Sequence, residues 1–437
     1  MFATMVRRCA AAAAAGLLCL LAGAAAASQE VAPTARVVSG VLVRAAPSRE
    51  APVVEALTPG ETAPLVGERP GWREIRLPGG ASGFVSKAWT RVLEPPAPSP
   101  PPAATAAAPV YRIHAVDVGT GLAVFVEGPD FTLVYDAGSN DDKAEGARNR
   151  FMAYLRFVRP QLRQVDHLVL SHAHQDHAGL MPDVFAAYRV RHVWDSGRMF
   201  GTCVYRDFLE AVAAEPGVAY HELAAGGGVR EVRLPASCSR AARDLRIGRG
   251  AAIDDRPVAL GQGAQITFLH RDAGEHDDPN ENSLVARLDL GEVRVLLTGD
   301  AEAGRRLDPR EPPDEGSAEA LLLACCRADL RADVQFAGHH GSKTSSRRAF
   351  LDAVGARVFV ISSGPMTYSG TGLPDREVVQ ELQARGQLWR TDLDDAACAA
   401  NPAKIGTDRD GKAGGCDHVV ITVQGTMISP AYVRLSD

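Results

Sequence analysis

Lysine is scarce: of the 47 basic residues in this 437-residue chain only five are lysine, and the matching surplus of arginine carries no functional reading. A large excess of either charge is also lacking. The formal net charge of −6 excludes a chain that is basic all over, so an anionic partner must meet a local positive site. Beyond residue 27 no apolar run approaches the about 18 residues that span a bilayer, which excludes a polytopic membrane protein. No Cys-x-x-Cys occurs, which argues against a cysteine zinc site. Hydrophobic residues at 46% and charged residues at 23% exclude a wholly disordered chain.

What is present begins with an address. Arg7 and Arg8 precede an apolar run that ends in Ala25-Ala26-Ala27, the pattern of a secretory signal peptide over residues 1–27. An uncleaved anchor is the alternative, and a lipoprotein cut at Cys19 is disfavoured by bulky Leu18. The expected mature chain is exported, periplasmic or secreted, with no integral membrane segment. Six cysteines remain in it, and an oxidising compartment favours disulfides. Cys398 with Cys416 is the first pairing expected and Cys203 with Cys238 the second; buried free thiols are the alternative.

Residues 94–109 read EPPAPSPPPAATAAAP, a semi-stiff spacer that cannot pack a core. It separates a small segment, 34–93, from a large one, 110–437. Five short apolar runs with Pro-Gly and Gly-Gly turns make the small segment a β-barrel. Its Val41-x-Val43-Arg44, Trp72-x-x-Ile75 and Gly83-Phe84-Val85 resemble a bacterial SH3 domain. That resemblance implies binding of cell-wall peptide, with Trp72 and Trp89 lining the groove; alternatively Trp72 belongs to the barrel core. The large segment opens with hairpins and continues as alternating strands and helices, with helices expected near 144–158, 317–327, 346–354 and 374–385. This indicates an α/β protein with a mixed sheet. Residues 196–262 read as an insertion of loops and short elements.

After the apolar strand ending at Leu170 comes Ser171-His172-Ala173-His174-Gln175-Asp176-His177-Ala178-Gly179. Imidazoles and a carboxylate are the ligands of a zinc-like or manganese-like ion. Alternation in an extended loop points His172 and His174 to one ion, and Asp176 and His177 can then turn to a second. Of the remaining histidines, His167 reads as a packed core residue. His192 and His221 lack partners in sequence, and only His276 stands near enough to the site motifs to be considered.

His-x-His-x-Asp-His after an apolar strand resembles the metallo-β-lactamase superfamily, whose fold is an αββα sandwich. DVG at Asp117, DAG at Asp136, NENS at 280–283, LLTGD at Asp300 and HHGSKTS at 339–345 follow in order, and together they resemble the nuclease-type domain of the ComEC competence family. The resemblance implies two divalent ions, Zn or Mn, bridged by Asp300, with His339 or His340 as a further ligand; His339, first off its strand, is preferred. It also implies Asp117 and Asp136 as supports for the ligands. Asn282 stands where many members carry a third histidine, so the first site is expected to be weak. Leu122 replaces a carboxylate, and Leu373 precedes Pro374 where a histidine is usual. Lys343 is either a phosphate clamp or an ordinary exposed lysine. Ser342 and Ser345 either bind phosphate or, as preferred, cap the following helix.

These readings lead to an exported metal-dependent hydrolase, a phosphodiesterase or DNA nuclease that uses a metal-activated hydroxide, with Asp176 and Lys343 in the reacting set. Arg156, Arg159, Arg163, Arg347 and Arg348 form either a nucleic-acid patch or a solvated helix face. The alternatives are an envelope-tethered hydrolase of a lactam, ester or wall-linked group, and an inactive envelope-binding protein.

Overall fold

Short β-branched runs, punctuated by glycine and proline, build the first unit of this computed structural model, which describes residues 29–93, 108–224, 226–368, 370–393 and 417–433. The expected leader, most of the proline spacer and the Cys398–Cys416 pair lie outside the described residues. The chain divides into two compact units, Met1–Ala106 and Ala107–Asp437.

Seven strands make the small unit, not five: β1 (Glu30–Pro33), β2 (Val41–Arg44), β3 (Val53–Leu57), β4 (Ala63–Arg69), β5 (Trp72–Arg76), β6 (Ser82–Ser86) and β7 (Thr90–Leu93). The extra strands are the two ends. β1 starts upstream of the expected limit at 34 and pairs with both β4 and β7, so the sheet order is β3-β2-β6-β5-β4-β1-β7. Alternation sets the core: Val41 and Val43 point in while Leu42 is exposed, and Val31, Leu57, Ile75 and Val85 complete the cluster. Trp72 is half-buried and stands outside that core. With Trp89, Arg44 and Arg49 it lines a cleft of about 630 Å3.

In the large unit the strands run β8 (Val110–Ala115), β9 (Ala123–Glu127), β10 (Thr132–Ala137), β11 (Gln164–Val169), β12 (Arg189–Trp194), β13 (Ala219–His221), the hairpin β14–β15 (Val229–Leu234, Arg243–Gly248), β16 (Val258–Gly261), β17 (Ala264–His270), β18 (Val285–Leu290), β19 (Val293–Leu297), β20 (Val334–Phe336), β21 (Val358–Ile361), the small hairpin β22–β23 (Thr367–Tyr368, Thr371–Gly372), β24 (Gln387–Arg390), β25 (Val419–Gln424) and β26 (Met427–Tyr432). Two mixed sheets result, ordered β13-β12-β11-β10-β9-β8-β25-β26 and β16-β17-β18-β19-β20-β21-β24. In each, antiparallel neighbours give way to parallel ones, at β10–β11 and at β19–β20.

Central strands such as β9 and β10 are buried along their whole length, because each sheet is covered on both faces. Their inner faces share a core of Val124, Val126, Leu133, Ile266, Leu288, Val295 and Val360. Outside the first sheet pack the helices Arg150–Val158, Met181–Ala187 and Cys203–Ala214; outside the second pack Ala318–Cys325, Arg348–Val354 and Arg376–Gln383. The layers are therefore αββα.

Residues 196–262 hold more structure than expected. Thr202 caps a twelve-residue helix by accepting from Tyr205 N, and Tyr205, Phe208, Leu209 and Val212 form its buried stripe. Cys203 is disulfide-bonded to Cys238, which ties the helix start to the turn of the β14–β15 hairpin. Adjacent Cys325 and Cys326 are also bonded to each other, so the free-thiol alternative fails for these four cysteines. Among the described residues no helix is long and apolar enough to cross a membrane.

Candidate metal centre

Strands β10, β11, β19 and β20 all deliver residues from their carboxyl ends to one crevice between the sheets, the place where open α/β sheets put ligands. Asp136 follows from β10, the loop 171–177 from β11, Asp300 from β19, and His339–His340 from β20. Glycines let these loops converge. A Cβ on Gly138 would lie 2.2 Å from His177 N, and one on Gly299, at φ +53°, would lie 2.7 Å from Ser171 Cβ.

Asp136 organises the histidine loop. Its Oδ1 accepts from Ser171 N at 2.7 Å, and its Oδ2 accepts from Ser171 Oγ at 2.6 Å and from His177 Nδ1 at 2.8 Å. With Nδ1 of His177 carrying the donated proton, Nε2 is left to face the crevice. His340 reaches the same arrangement from the other sheet, its Nδ1 lying 2.9 Å from Ser362 O. The two Nε2 atoms then stand 3.3 Å apart, lone pair against lone pair, in a buried place. Asp300 Oδ1 lies 3.1 Å from His177 Nε2 yet accepts no hydrogen bond, and Asp300 Oδ2 lies 3.5 Å from His340 Nε2 and 3.9 Å from His172 Nε2. Among the described residues Asp300 Oδ1 has no hydrogen-bond partner, and a cation in the crevice would satisfy it. The donor chemistry thus fits divalent metal.

Two groups of ligand atoms lie within 4.8 Å of one another: His172, His177 and Asp300, and Asp176, His177 and His340. His174 adds Nδ1 at 3.0 Å from His172 Nε2, and its side chain is 35% exposed at the mouth. The electrostatics show what a cation would displace, because without one the surrounding carboxylates draw protons onto the rings. Burial holds His172 well below ordinary imidazole, next to the His177 charge. Burial opposes charge on His177 as well, but Asp300 and Asp136 outweigh it and raise that ring well above the usual range. Asp176 and Asp300 are both held low: burial opposes ionisation, and the surrounding histidines overcome it.

The preference for His339 over His340 is reversed. Both sit in left-handed backbone, at φ 47° and 52°, with Gly341 at 79°, so the chain turns tightly and sends adjacent rings apart. His340 enters the crevice. His339 instead places Nδ1 2.7 Å from Glu302 Oε1 and 2.8 Å from Thr344 Oγ1, although its Nε2 remains 3.9 Å from Asp300. Burial opposes its charge, but Asp300 and Glu302 lift it to about 9.

Other expected roles are also corrected. Lys343 Nζ is paired with Glu377 at 3.1 Å. Ser342 Oγ accepts from Arg306 and from Thr344 N, and Ser345 Oγ donates to Gly338 O; neither caps the helix Arg348–Val354. The distant Glu319 instead holds the two residues before that helix, accepting from Ser346 N at 2.5 Å and Arg347 N at 3.0 Å. Asp117 accepts from Gly119 N and lies 3.7 Å from Arg150, shaping its own turn. The backbone N–H of Leu122 donates to Asp176 O. Asn282 turns Nδ2 to the carbonyls of Asp272 and Gly274 and belongs to neither ligand group, while His276 pairs with Asp272. Most of the arginines named above have partners within the chain. Arg159 pairs with Glu127, Arg163 and Arg347 bond backbone carbonyls, and Arg348 pairs with Glu381.

Sequence reasoning missed four supports: Asn140, Tyr368, Ser283 and Glu302. Asn140 Nδ2 and Tyr368 OH both donate to Asp176 Oδ2, at 2.9 and 2.5 Å. Asp300 N donates to Ser283 Oγ at 3.2 Å. The signals were faint: Asn140 stands just past DAG, Ser283 closes NENS, and Glu302 follows Asp300 by two.

A family model described as the metallo-beta-lactamase superfamily matches residues 116–364, and a bacterial SH3 domain model matches 39–91. ComE operon protein 3 of Bacillus subtilis is 24% identical over 308 residues, 68% of this chain and 34% of its own. Recombination protein 2 of Haemophilus influenzae is 28% identical over 257 residues, 59% of this chain and 24% of its own. The chain thus spans about a third or less of these curated relatives. Among solved structures, the metallo-beta-lactamase fold protein YhfI from Bacillus subtilis aligns with 65% of this chain and 97% of its own, at 12% identity and a TM-score of 0.39.

Proposed function

This chain belongs to the metallo-β-lactamase superfamily, and from that premise we propose that it is an exported phosphodiesterase whose substrate is DNA. The observation that carries the metal-dependent part is the pair of Nε2 lone pairs of His177 and His340, 3.3 Å apart and beside Asp300. DNA enters from two relatives, one named for the ComE operon and one for recombination, and from the order of motifs shared with the ComEC family.

In this reading His172, His174 and Asp300 would hold one ion, and Asp176, His177 and His340 would hold a second. When bound, such ions supply Lewis acidity for the charge that develops on a phosphodiester and make water more acidic. The first set would offer two imidazoles and one carboxylate, which suits a weaker, open site and a harder ion such as manganese. Asp136 keeps the proton of His177 on Nδ1, and Ser362 O does the same for His340. Asn140 and Tyr368 fix Asp176. Half-exposed His174 marks the side from which substrate reaches the crevice.

The test is cleavage of single- and double-stranded DNA with Mn2+, Zn2+ or EDTA, beside a His174→Ala variant. Cleavage that requires metal and His174, and weakens as salt rises, is the expected result. No cleavage by a metal-loaded chain would remove DNA as substrate.

A second reading is an envelope-tethered hydrolase of a lactam, ester or wall-linked group. It is favoured by the cleft over Trp72 and Trp89 in the small unit, a shape and composition suited to peptide. The same preparations, assayed on wall fragments and lactams, separate the two.

A further inference from the structure

His167, His192 and His221 carry no signal in sequence, yet β11, β12 and β13 set them side by side. His167 pairs in register with His192, and Trp194 with His221. Ring centroids lie 5.0 Å apart for His167–His192 and 5.3 Å for His192–His221, and Trp194 stacks on His221 at 3.8 Å. A cleft of about 350 Å3 opens over them, walled also by Asp254 and by Val258 and Ala259 of β16, the edge strand of the opposite sheet.

Among the described residues three pairs of histidine nitrogens approach closely. Two are in the metal centre, at 3.0 and 3.3 Å; the third is His192 Nδ1 with His221 Nε2, at 3.1 Å. One ion at the usual zinc–imidazole distance of about 2.0–2.1 Å from each nitrogen spans such a gap. His221 is oriented as a ligand is: its Nδ1 lies 2.8 Å from Ala251 O, which leaves Nε2 as the lone-pair atom. Trp194 Nε1 donates to His167 Nδ1 at 3.3 Å, so His167 backs the pair and does not join it. Burial lowers all three rings, His167 to about 3 and His221 to about 4, so they are neutral, as ligands must be, at physiological pH.

We propose that His192 and His221 form a binding site for a single divalent ion of the copper–zinc class, separate from the crevice at Asp300, with water from the cleft filling its other positions. The ion would staple the short edge strand β13 to β12. Affinity of nitrogen ligands peaks at Cu2+ among such ions, which makes it the probe.

The experiment uses the full chain with the main centre disabled by Asp300→Asn and His177→Gln. Dialysed against Cu2+ and desalted, it should retain one ion per chain, show nitrogen splitting in its EPR spectrum, and lose Trp194 fluorescence. Adding His221→Gln should abolish all three signals. Where that variant does not fold, His192→Gln, at a half-buried position, takes its place. Failure of the parent to retain copper, or retention unchanged by either substitution, overturns the proposal and leaves a plain hydrogen bond between two neutral rings.

Discussion

Replacing Asp136 by asparagine tests whether a carboxylate outside the ligand groups governs metal affinity. The residue sits at φ 56°, a conformation asparagine tolerates better than most side chains, so the backbone is not the perturbation. What changes is hydrogen bonding. Asp136 accepts three bonds, from Ser171 N, Ser171 Oγ and His177 Nδ1. An asparagine oxygen can keep Ser171 N, and the serine hydroxyl can rotate to accept from the amide nitrogen. His177 Nδ1–H would then meet an N–H. The ring escapes by moving its proton to Nε2, the nitrogen that faces His340, and the ligand atom is lost. Substitutions of this kind lower metal affinity about 10–100-fold, or about 1.4–2.8 kcal/mol at 1.4 kcal/mol per decade. The assay is a chelator competition with Zn2+ or Mn2+, with circular dichroism as the check on folding. A folded Asp136→Asn chain of unchanged affinity would refute the argument that this bond sets the tautomer.

His340→Ala should lose the ion held with Asp176 and His177, whereas His339→Ala should keep metal content and shift only the fit around Glu302; elemental analysis of the two decides, and the reverse ranking would restore His339 as the ligand. Lys343→Ala removes an exposed pair with Glu377, so stability should change by less than about 1 kcal/mol and hydrolysis should persist. A tenfold or greater fall in kcat/KM would return Lys343 to substrate binding. Burial pushes the Glu127 carboxyl up, but His114 and Arg159 overcome it and hold it at about 2 against an ordinary 4.5. A carboxyl held low adds stability above pH 4.5 that disappears as pH falls through about 2. The shift caps this at about 3 kcal/mol, and screening of the 40% exposed Arg159 reduces it to about 1–2 kcal/mol. Glu127→Gln should therefore flatten the acid limb of urea midpoints measured between pH 4.5 and 2; equal acid slopes for the two proteins would argue against it.

The histidine loop was legible because its chemistry is local. Strand alternation sets His172 and His174, and the next turn sets Asp176 and His177. The choice between His339 and His340 was not legible, since it depends on two successive left-handed residues, a conformation that histidine does not advertise. The surroundings of Lys343 and Ser342 were hidden for the opposite reason: their partners, Glu377 and Arg306, come from distant positions. The helix Cys203–Ala214 did have a local signal, in Thr202 as cap and in the spacing of Tyr205, Phe208, Leu209 and Val212. The closing strands of the small unit lacked one, because Glu30–Pro33 and Thr90–Leu93 become strands through pairings with each other and with β4.

His177 and His340 are 163 residues apart in the chain. Between them lie helices of both outer layers and most of the second sheet, so the crevice does not exist until both sheets have formed and closed on one another. A half-folded chain offers the histidine loop alone, a few ligands on a flexible segment with no Asp300 or His340 opposite. Ions therefore discriminate strongly between the finished and unfinished protein, and by mass action they draw the folding equilibrium toward completion. Metal loading becomes a quality check on the fold: a chain that holds its ions has, of necessity, assembled both halves.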